Sequence, residues 1–182
     1  MSHPEPIYTF DENLREVPDS RELMQQYVDE RLSFLAQTGD PKLRANVLGK
    51  VGAFLRILGN LYEAESLIHE SLALGKQFNL GIKHQIIQEN RLAHVLQWKG
   101  DFENSTRIFK HVLVTCLNDP EGKKFLSFAW QHLGKNHFDQ AEFEKALKCF
   151  EEALKIRSEG SDKALEQSTQ QAMAETRKRL SE

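Results

Sequence analysis

Cysteine is scarce in this chain, because Cys116 and Cys149 are the only two cysteines among its 182 residues. So few cysteines in a chain of this length argue against a disulfide scaffold and are typical of a reduced, cytoplasmic protein. Long apolar runs are also lacking, since none approaches the roughly 20 residues of a membrane-spanning helix. Residues 1–20 have neither the basic start nor the apolar stretch of a secretory signal. We therefore expect a cytoplasmic protein without a membrane partner.

The chain also lacks an excess of positive charge. It carries 24 Lys and Arg against 27 Asp and Glu, for a net charge of −3 at pH 7. This balance does not favour a nucleic-acid partner. The histidines lack the spacing of metal ligands, the cysteines have no visible base beside them, and no phosphate-binding glycine loop is present. The sequence therefore predicts no catalysis, no cofactor and no metal.

What the chain does contain is an internal repeat. Residues 59–64, 100–105 and 141–146 resemble one another at a spacing of 41 residues (100 − 59 = 41 and 141 − 100 = 41). The apolar positions keep the same register, as at Val51, Leu92 and Leu133. A fixed period in this range is typical of a stacked repeat array. Such arrays present a long curved surface, which favours an interaction module over an enzyme.

The pattern along the chain predicts helices. Residues 1–19 hold three of the five prolines and few periodic apolar residues, so we expect a loosely structured arm there. Ser20 is a candidate N-cap, Gly59 a candidate left-handed helix end, and Asn60 the cap of the next helix. The predicted domain covers residues 20–182, with about eight helices. Its parts are a leading helix at 20–38, three repeats at 45–160 and a capping helix at 161–182.

The third repeat identifies a family. Its residues follow the pattern W-x2-L-G-x2-Y, then A-x3-F-x2-A, with a histidine in place of the tyrosine: Trp130, Leu133, Gly134, His137, Ala146, Phe150 and Ala153. The chain thereby resembles tetratricopeptide repeat proteins. Small residues stand at the equivalent positions Gly52, Ala93 and Gly134. The resemblance implies an all-α, right-handed superhelical solenoid. We also expect Trp130, with Leu133, Phe150 and Ala153, to form the densest part of the core.

The repeat is longer than the usual period of about 34 residues. Extra helical turns in both helices of a pair would keep the same sides facing. Repeats of this long type resemble those of kinesin light chains and of bacterial regulators and peptide sensors.

The resemblance also implies a binding site. In tetratricopeptide repeat proteins the first helix of each pair lines a concave groove. The positions carried over to this chain are rich in amide, basic and aromatic side chains: Asn46, Arg56, Asn90, Arg91, His94, Gln97, Trp98, Gln131, Lys135 and Phe138. Amides can bond to a peptide backbone, cations to carboxylates, and aromatic rings can anchor apolar side chains.

We therefore expect a protein–protein or protein–peptide interaction module that binds a segment, an acidic one among the candidates, in this groove. One alternative is a regulatory sensor of a short signalling peptide, and another is a secretion or assembly chaperone.

Overall fold

The computed structural model describes residues 4–182, so the first three residues of the predicted arm lie outside the described residues. The described chain contains eight α-helices, one short 3-10 helix at Gly122–Phe125 and two short strands. The strands are β1 (Tyr8–Phe10) and β2 (Glu16–Pro18). The helices are α1 (Arg21–Leu35), α2 (Pro41–Leu58), α3 (Leu61–Gln77), α4 (Gly81–Trp98), α5 (Phe102–Asn118), α6 (Leu126–Asp139), α7 (Phe143–Ser158) and α8 (Lys163–Ser181).

The helices pack in sequential pairs that follow the repeat. The second helix of each pair begins at Leu61, Phe102 and Phe143, so the spacing is 41 residues each time (102 − 61 = 41 and 143 − 102 = 41). Each helix from α1 to α8 packs on the next one along the chain. The predicted all-α repeat solenoid is confirmed. No helix within residues 4–182 has both the length and the apolar character needed to cross a membrane.

Close helix approach explains two of the small residues. A Cβ atom added at Gly134 would lie 2.6 Å from the Phe150 ring, and one added at Gly52 would lie 2.6 Å from Ile68 Cγ1. Neither distance is compatible with a side chain. Glycine at these positions therefore lets the two helices of a pair pack against each other.

The predicted helix ends are partly right. The Ser20 side chain accepts a hydrogen bond from Leu23 N, and Gly59 adopts the left-handed conformation at φ 89°. Asn60 precedes α3 but makes no capping bond with its side chain, so that prediction is wrong.

The core runs along the array as three clusters of buried side chains. The first joins α1 to α4, the second lies around Phe109 between α4 and α7, and the third surrounds Phe150 between α6 and α8. Trp130 is only partly buried and packs at the margin of the second cluster. The expectation that Trp130 lies in the densest part of the core is therefore wrong, whereas Leu133, Phe150 and Ala153, which were predicted with it, are buried. Phe109 and Phe150 are fully buried.

The N-terminal arm differs most from expectation. Instead of a loose segment, residues 8–18 form an antiparallel hairpin in which Phe10 pairs with Glu16 and Tyr8 with Pro18. The Asp11 side chain closes the turn by accepting hydrogen bonds from the backbone N–H groups of residues 13 and 15. Leu14 in this turn is buried in the third core cluster. The predicted domain boundary at residue 20 thus separates two parts of the chain that pack together.

Candidate functional site

The first helices of the three pairs form one continuous surface, which we call the first-helix face. Contacts join α2 to α4 and α4 to α6. Repeat-equivalent positions recur along this face: Arg56, Gln97 and Phe138 are each 41 residues apart (97 − 56 = 41 and 138 − 97 = 41). The N-terminal hairpin lies on this face, with β2 against α2. The hairpin is therefore part of the candidate site.

An ion pair joins the hairpin to α2. Glu16 Oε2 lies 2.9 Å from Arg56 Nη1, and the Glu16 and Arg56 side chains are 12% and 6% exposed. Burial alone would raise the pKa of Glu16, but the charges of Arg56 and Lys135 outweigh it and hold that pKa well below its usual range. Glu16 is therefore an anion at neutral pH, and the face provides the cations that stabilise it.

Apolar and aromatic contacts join the hairpin to α6. Lys135 Nζ lies 3.7 Å from the centre of the Phe10 ring, a cation–π contact. Burial lowers the pKa of Lys135 to about 8, with the nearby Glu16 carboxylate acting in the opposite direction. Leu14 packs in the same cluster as Phe138. Phe10 of the hairpin thus lies on a cation, and Leu14 lies in an apolar pocket.

In a third set of contacts, the hairpin supplies the cation and the face supplies the carboxylate. Asp139 Oδ2 accepts hydrogen bonds from Arg15 of the hairpin at 2.9 Å and from Gln97 Nε2 at 3.0 Å. The Arg15 and Arg56 guanidinium carbons lie 5.2 and 4.5 Å from the centre of the Trp98 ring. Arg15 of the hairpin therefore meets a carboxylate of the face, and Glu16 meets an arginine.

Beside the hairpin, the face retains an open cavity of about 360 Å³. Among its lining residues are Asn90, Arg91 and His94 of the face and Tyr8 and Glu16 of the hairpin. Asn90 is 8% exposed, and its Oδ1 atom has no hydrogen-bond partner among the described residues. Burial lowers the pKa of Arg91 to about 10, which still leaves the guanidinium charged at neutral pH. The cavity therefore offers a cation and an unused acceptor to a ligand.

Two histidines pair beneath this cavity. His94 Nδ1 lies 3.0 Å from Gln97 Oε1, and His94 Nε2 lies 2.9 Å from His132 Nδ1. Because an amide oxygen only accepts, His94 Nδ1 carries the proton and Nε2 accepts from His132. Burial lowers the pKa of His94 well below its usual range and that of His132 to about 3. Both rings are neutral at physiological pH.

A second, basic cleft extends the face towards the N-terminal ends of α2 and α4. It has a volume of about 470 Å³, and its lining includes Lys42, Asn46, Lys50, Lys83 and Arg91. Lys50 pairs with Glu5, which precedes the hairpin. Lys42 and Lys83 are exposed and make no ion pair within residues 4–182. This cleft, which we call the basic cleft, is a part of the face that no hairpin residue lines.

The structure thus brings most of the predicted site residues together, but not as a solvent-lined groove. Seven of the ten are buried under the hairpin or between helices: Arg56, Asn90, His94, Gln97, Gln131, Lys135 and Phe138. Arg91 and Trp98 are half-buried, and Asn46 alone is exposed, in the basic cleft. Both amide atoms of Gln131 lack a hydrogen-bond partner within the described residues.

Sequence reasoning missed the side chains that contact this face from the hairpin, above all Phe10, Arg15 and Glu16. It also missed Asp139, which holds Arg15. Asp139 stands one repeat after Trp98 (139 − 98 = 41), so the repeat register contained the signal that places it on the face. Nothing in the sequence places the hairpin there, because a docked segment carries no periodicity.

The two cysteines lie on second helices, Cys116 in α5 and Cys149 in α7. Burial raises the pKa of both cysteine thiols to about 11, which disfavours the nucleophilic thiolate. Within residues 4–182 no group of three or more His, Cys, Asp or Glu side chains is placed to hold a metal ion. The charges and rings of the face contact the N-terminal hairpin of the same chain.

Part of the chain matches a known family. Residues 85–159, which run from α4 into the loop after α7, match the family model of the tetratricopeptide repeat. The first pair, α2 and α3, lies outside the matched range and continues the same helical period. No curated protein matches the chain. The match does not distinguish the long-repeat type, which stays a prediction.

Proposed function

We propose that the chain is a protein-interaction module whose first-helix face binds a segment of a partner protein, because residues 85–159 match the tetratricopeptide repeat family. The family supports a general role in protein–protein interaction, and its members are typically non-catalytic scaffolds. The finer proposal concerns which face binds and what it binds. It rests on the residues of the face.

The single observation that carries the proposal is that the face already holds a chain segment. Arg56 binds the Glu16 carboxylate, and Lys135 lies over the Phe10 ring. Cation–carboxylate and cation–aromatic contacts of this kind give specificity to segment recognition. We infer that the preferred partner segment carries carboxylates close to an aromatic side chain.

The basic cleft supports the acidic character of the partner. Lys42, Lys83 and Arg91 line it, and the two lysines are exposed and unpaired within residues 4–182. Exposed cations attract an acidic segment over about 8–10 Å at physiological salt. The cleft is thus the accessible end of the face, where carboxylates of a partner would bind first.

The experiment measures the binding of two synthetic peptides by fluorescence anisotropy. Each peptide contains one phenylalanine, and they differ only in that one has glutamate where the other has glutamine. We expect the glutamate peptide to bind more tightly, and Lys42→Glu with Lys83→Glu to weaken it by about tenfold, or 1.4 kcal/mol. The matched control is Lys110→Glu with Lys148→Glu, which reverses two exposed charges on second helices. Equal binding of the two peptides, or an equal loss in the control, would refute the proposal.

A further inference from the structure

The hairpin presents one of its two sides to the first-helix face. Residues paired across an antiparallel ladder lie on the same side of it, so Phe10 and Glu16 point the same way. Both contact the face, Phe10 at Lys135 and Glu16 at Arg56. Val17 follows on the other side and is 43% exposed. The hairpin thus binds the face through a carboxylate next to an aromatic ring.

The charges of the hairpin segment match those of the face along its length. Glu5 pairs with Lys50 of α2, Glu16 with Arg56 of α2, and Arg15 with Asp139 of α6. A segment with the opposite order of charges would place like charges together at each position. This complementarity is what a partner interface shows, whereas the helices of the array meet one another mainly through apolar side chains.

The hairpin depends on the face for its own stability. It has only two strands of three residues each, and an isolated two-stranded hairpin is marginally stable in water. Leu14, whose side chain reaches the core cluster of Phe138, has φ 59°. That conformation is unfavourable for leucine, so docking of the hairpin carries backbone strain.

We propose that the N-terminal hairpin is a tethered occupant of the first-helix face, and that the partner is an acidic segment with a neighbouring aromatic side chain that displaces it. This inference rests on the proposed function and adds its regulation. The hairpin keeps the part of the face around Arg56, Trp98 and Lys135 closed. The basic cleft stays open, so a partner segment can bind there first and then compete for the covered part.

Because the hairpin is tethered, a free partner segment competes with it at a disadvantage. A segment linked through a short connection to its site acts at an effective concentration in the millimolar range. The linker here is short, since β2 ends at Pro18 and α1 begins at Arg21. A free segment of the same sequence therefore binds weakly to the intact protein and tightly only when the tethered copy is weakened.

The experiment uses the full chain and, as its probe, a fluorescein-labelled synthetic peptide with the sequence of residues 4–19. Three proteins are compared by fluorescence anisotropy: the intact chain, Glu16→Gln, and the matched control Glu12→Gln. Glu12 lies in the same hairpin, is exposed, and makes no ion pair in the described part of the chain. We expect Glu16→Gln to bind the probe at least about tenfold more tightly than the intact chain or the control does. Adding Arg56→Gln to Glu16→Gln should remove the gain, because the probe then lacks its ion-pair partner.

Several results would overturn the proposal. One is equal binding of the probe by the intact chain and by Glu16→Gln. Another is a folded Glu16→Gln protein that does not bind the probe. A third is loss of the whole fold in both Glu16→Gln and Phe10→Ala, measured by circular dichroism, since the hairpin would then be a permanent part of the core. The charge reversals at Lys42 and Lys83 test the proposed function separately, because the hairpin does not cover those exposed side chains.

Discussion

The carboxylate of Glu16 in the N-terminal hairpin lies 2.9 Å from the guanidinium of Arg56 in α2, and the two side chains retain only 12% and 6% of their exposure. Removing one partner of a buried ion pair typically costs about 3–5 kcal/mol, because the other charge is left without compensation. Here the remaining charge can return to water if the hairpin leaves the face. Breaking this pair should therefore destabilise the docked hairpin rather than the repeats.

The first prediction concerns hydrogen exchange. Glu16→Gln should raise the exchange rate of the backbone amides of β1 and β2, while the amides of α4 and α6 keep their protection, because local opening releases only the hairpin. Glu12→Gln should leave all these rates unchanged. Exchange detected by mass spectrometry of peptides from residues 4–19 and from the repeats makes the comparison. Faster exchange throughout the repeats would show instead that the hairpin supports the whole fold.

The second prediction concerns acid stability and follows from the buried histidine pair. Burial lowers the pKa of His94 and brings that of His132 to about 3. A proton added to His94 Nε2 would face the Nδ1–H of His132, and the groups around the pair include the cations Arg56, Lys135 and Arg157 and the anion Glu16. Below the unfolded pKa of about 6.5, the unfolded chain therefore binds more protons than the folded chain, and stability falls as pH falls.

Urea unfolding at pH about 7.5 and about 5 measures this effect, and we expect a loss of up to about 4 kcal/mol between them, about 2 kcal/mol for each histidine. Glu16 should contribute only at lower pH, because the pKa of its carboxyl is held below the ordinary value and its stabilisation is lost on protonation. The double substitution His94→Gln with His132→Gln should reduce the dependence of the unfolding free energy on pH above pH about 5. His69→Gln, at an exposed histidine, is the control and should show the same dependence as the unchanged protein. An unchanged slope in the double variant would exclude the histidine pair as its origin.

How far the sequence predicted the fold can be traced to particular residues. Gly59, Gly134 and Phe150 recur in the repeat register, and each has a role that a pattern can reveal: a left-handed helix end or a close helix contact. Trp130 fits the family pattern equally well but is only partly buried. A pattern predicts which side of a helix faces its partner, whereas the depth of burial depends on what the neighbouring pair places over it.

The sequence predicted less about the candidate site than about the fold. The repeat register placed Arg56, Trp98 and Lys135 on one face, and the structure brings them to the hairpin. The register could not reveal that a segment of the same chain covers them, because Phe10 and Glu16 belong to no repeat. Docking of such a segment is decided by complementary charge and shape, which appear only when both surfaces are known.

The third prediction concerns Ala141, the residue that the third repeat places where the first two have glycine. Gly59 and Gly100 have φ angles of 89° and 81°, and Ala141 has φ 56°. A left-handed conformation costs an alanine roughly 1–2 kcal/mol, partly offset by the greater freedom of glycine in the unfolded chain. Ala141→Gly should therefore stabilise the fold by about 0.5–1 kcal/mol in urea unfolding. Gly100→Ala is the reciprocal control, since a Cβ at Gly100 meets nothing within 4 Å. It should destabilise by a similar amount, and a loss of stability in Ala141→Gly would contradict the argument.

The fourth prediction makes Trp98 a reporter of the hairpin. The guanidinium carbons of Arg15 in the hairpin and Arg56 in α2 lie 5.2 and 4.5 Å from the centre of its ring. Release of the hairpin takes Arg15 away and exposes the indole to water. In a Trp130→Phe background, where Trp98 is the only tryptophan left, Glu16→Gln should shift the emission maximum to longer wavelength, and Glu12→Gln should not. Addition of the residue 4–19 peptide to Glu16→Gln should reverse the shift, because the free peptide supplies the same arginine. A shift that the peptide does not reverse would mean that the hairpin and the free peptide occupy different places, and a maximum that does not move would mean that the hairpin stays on the face without its ion pair.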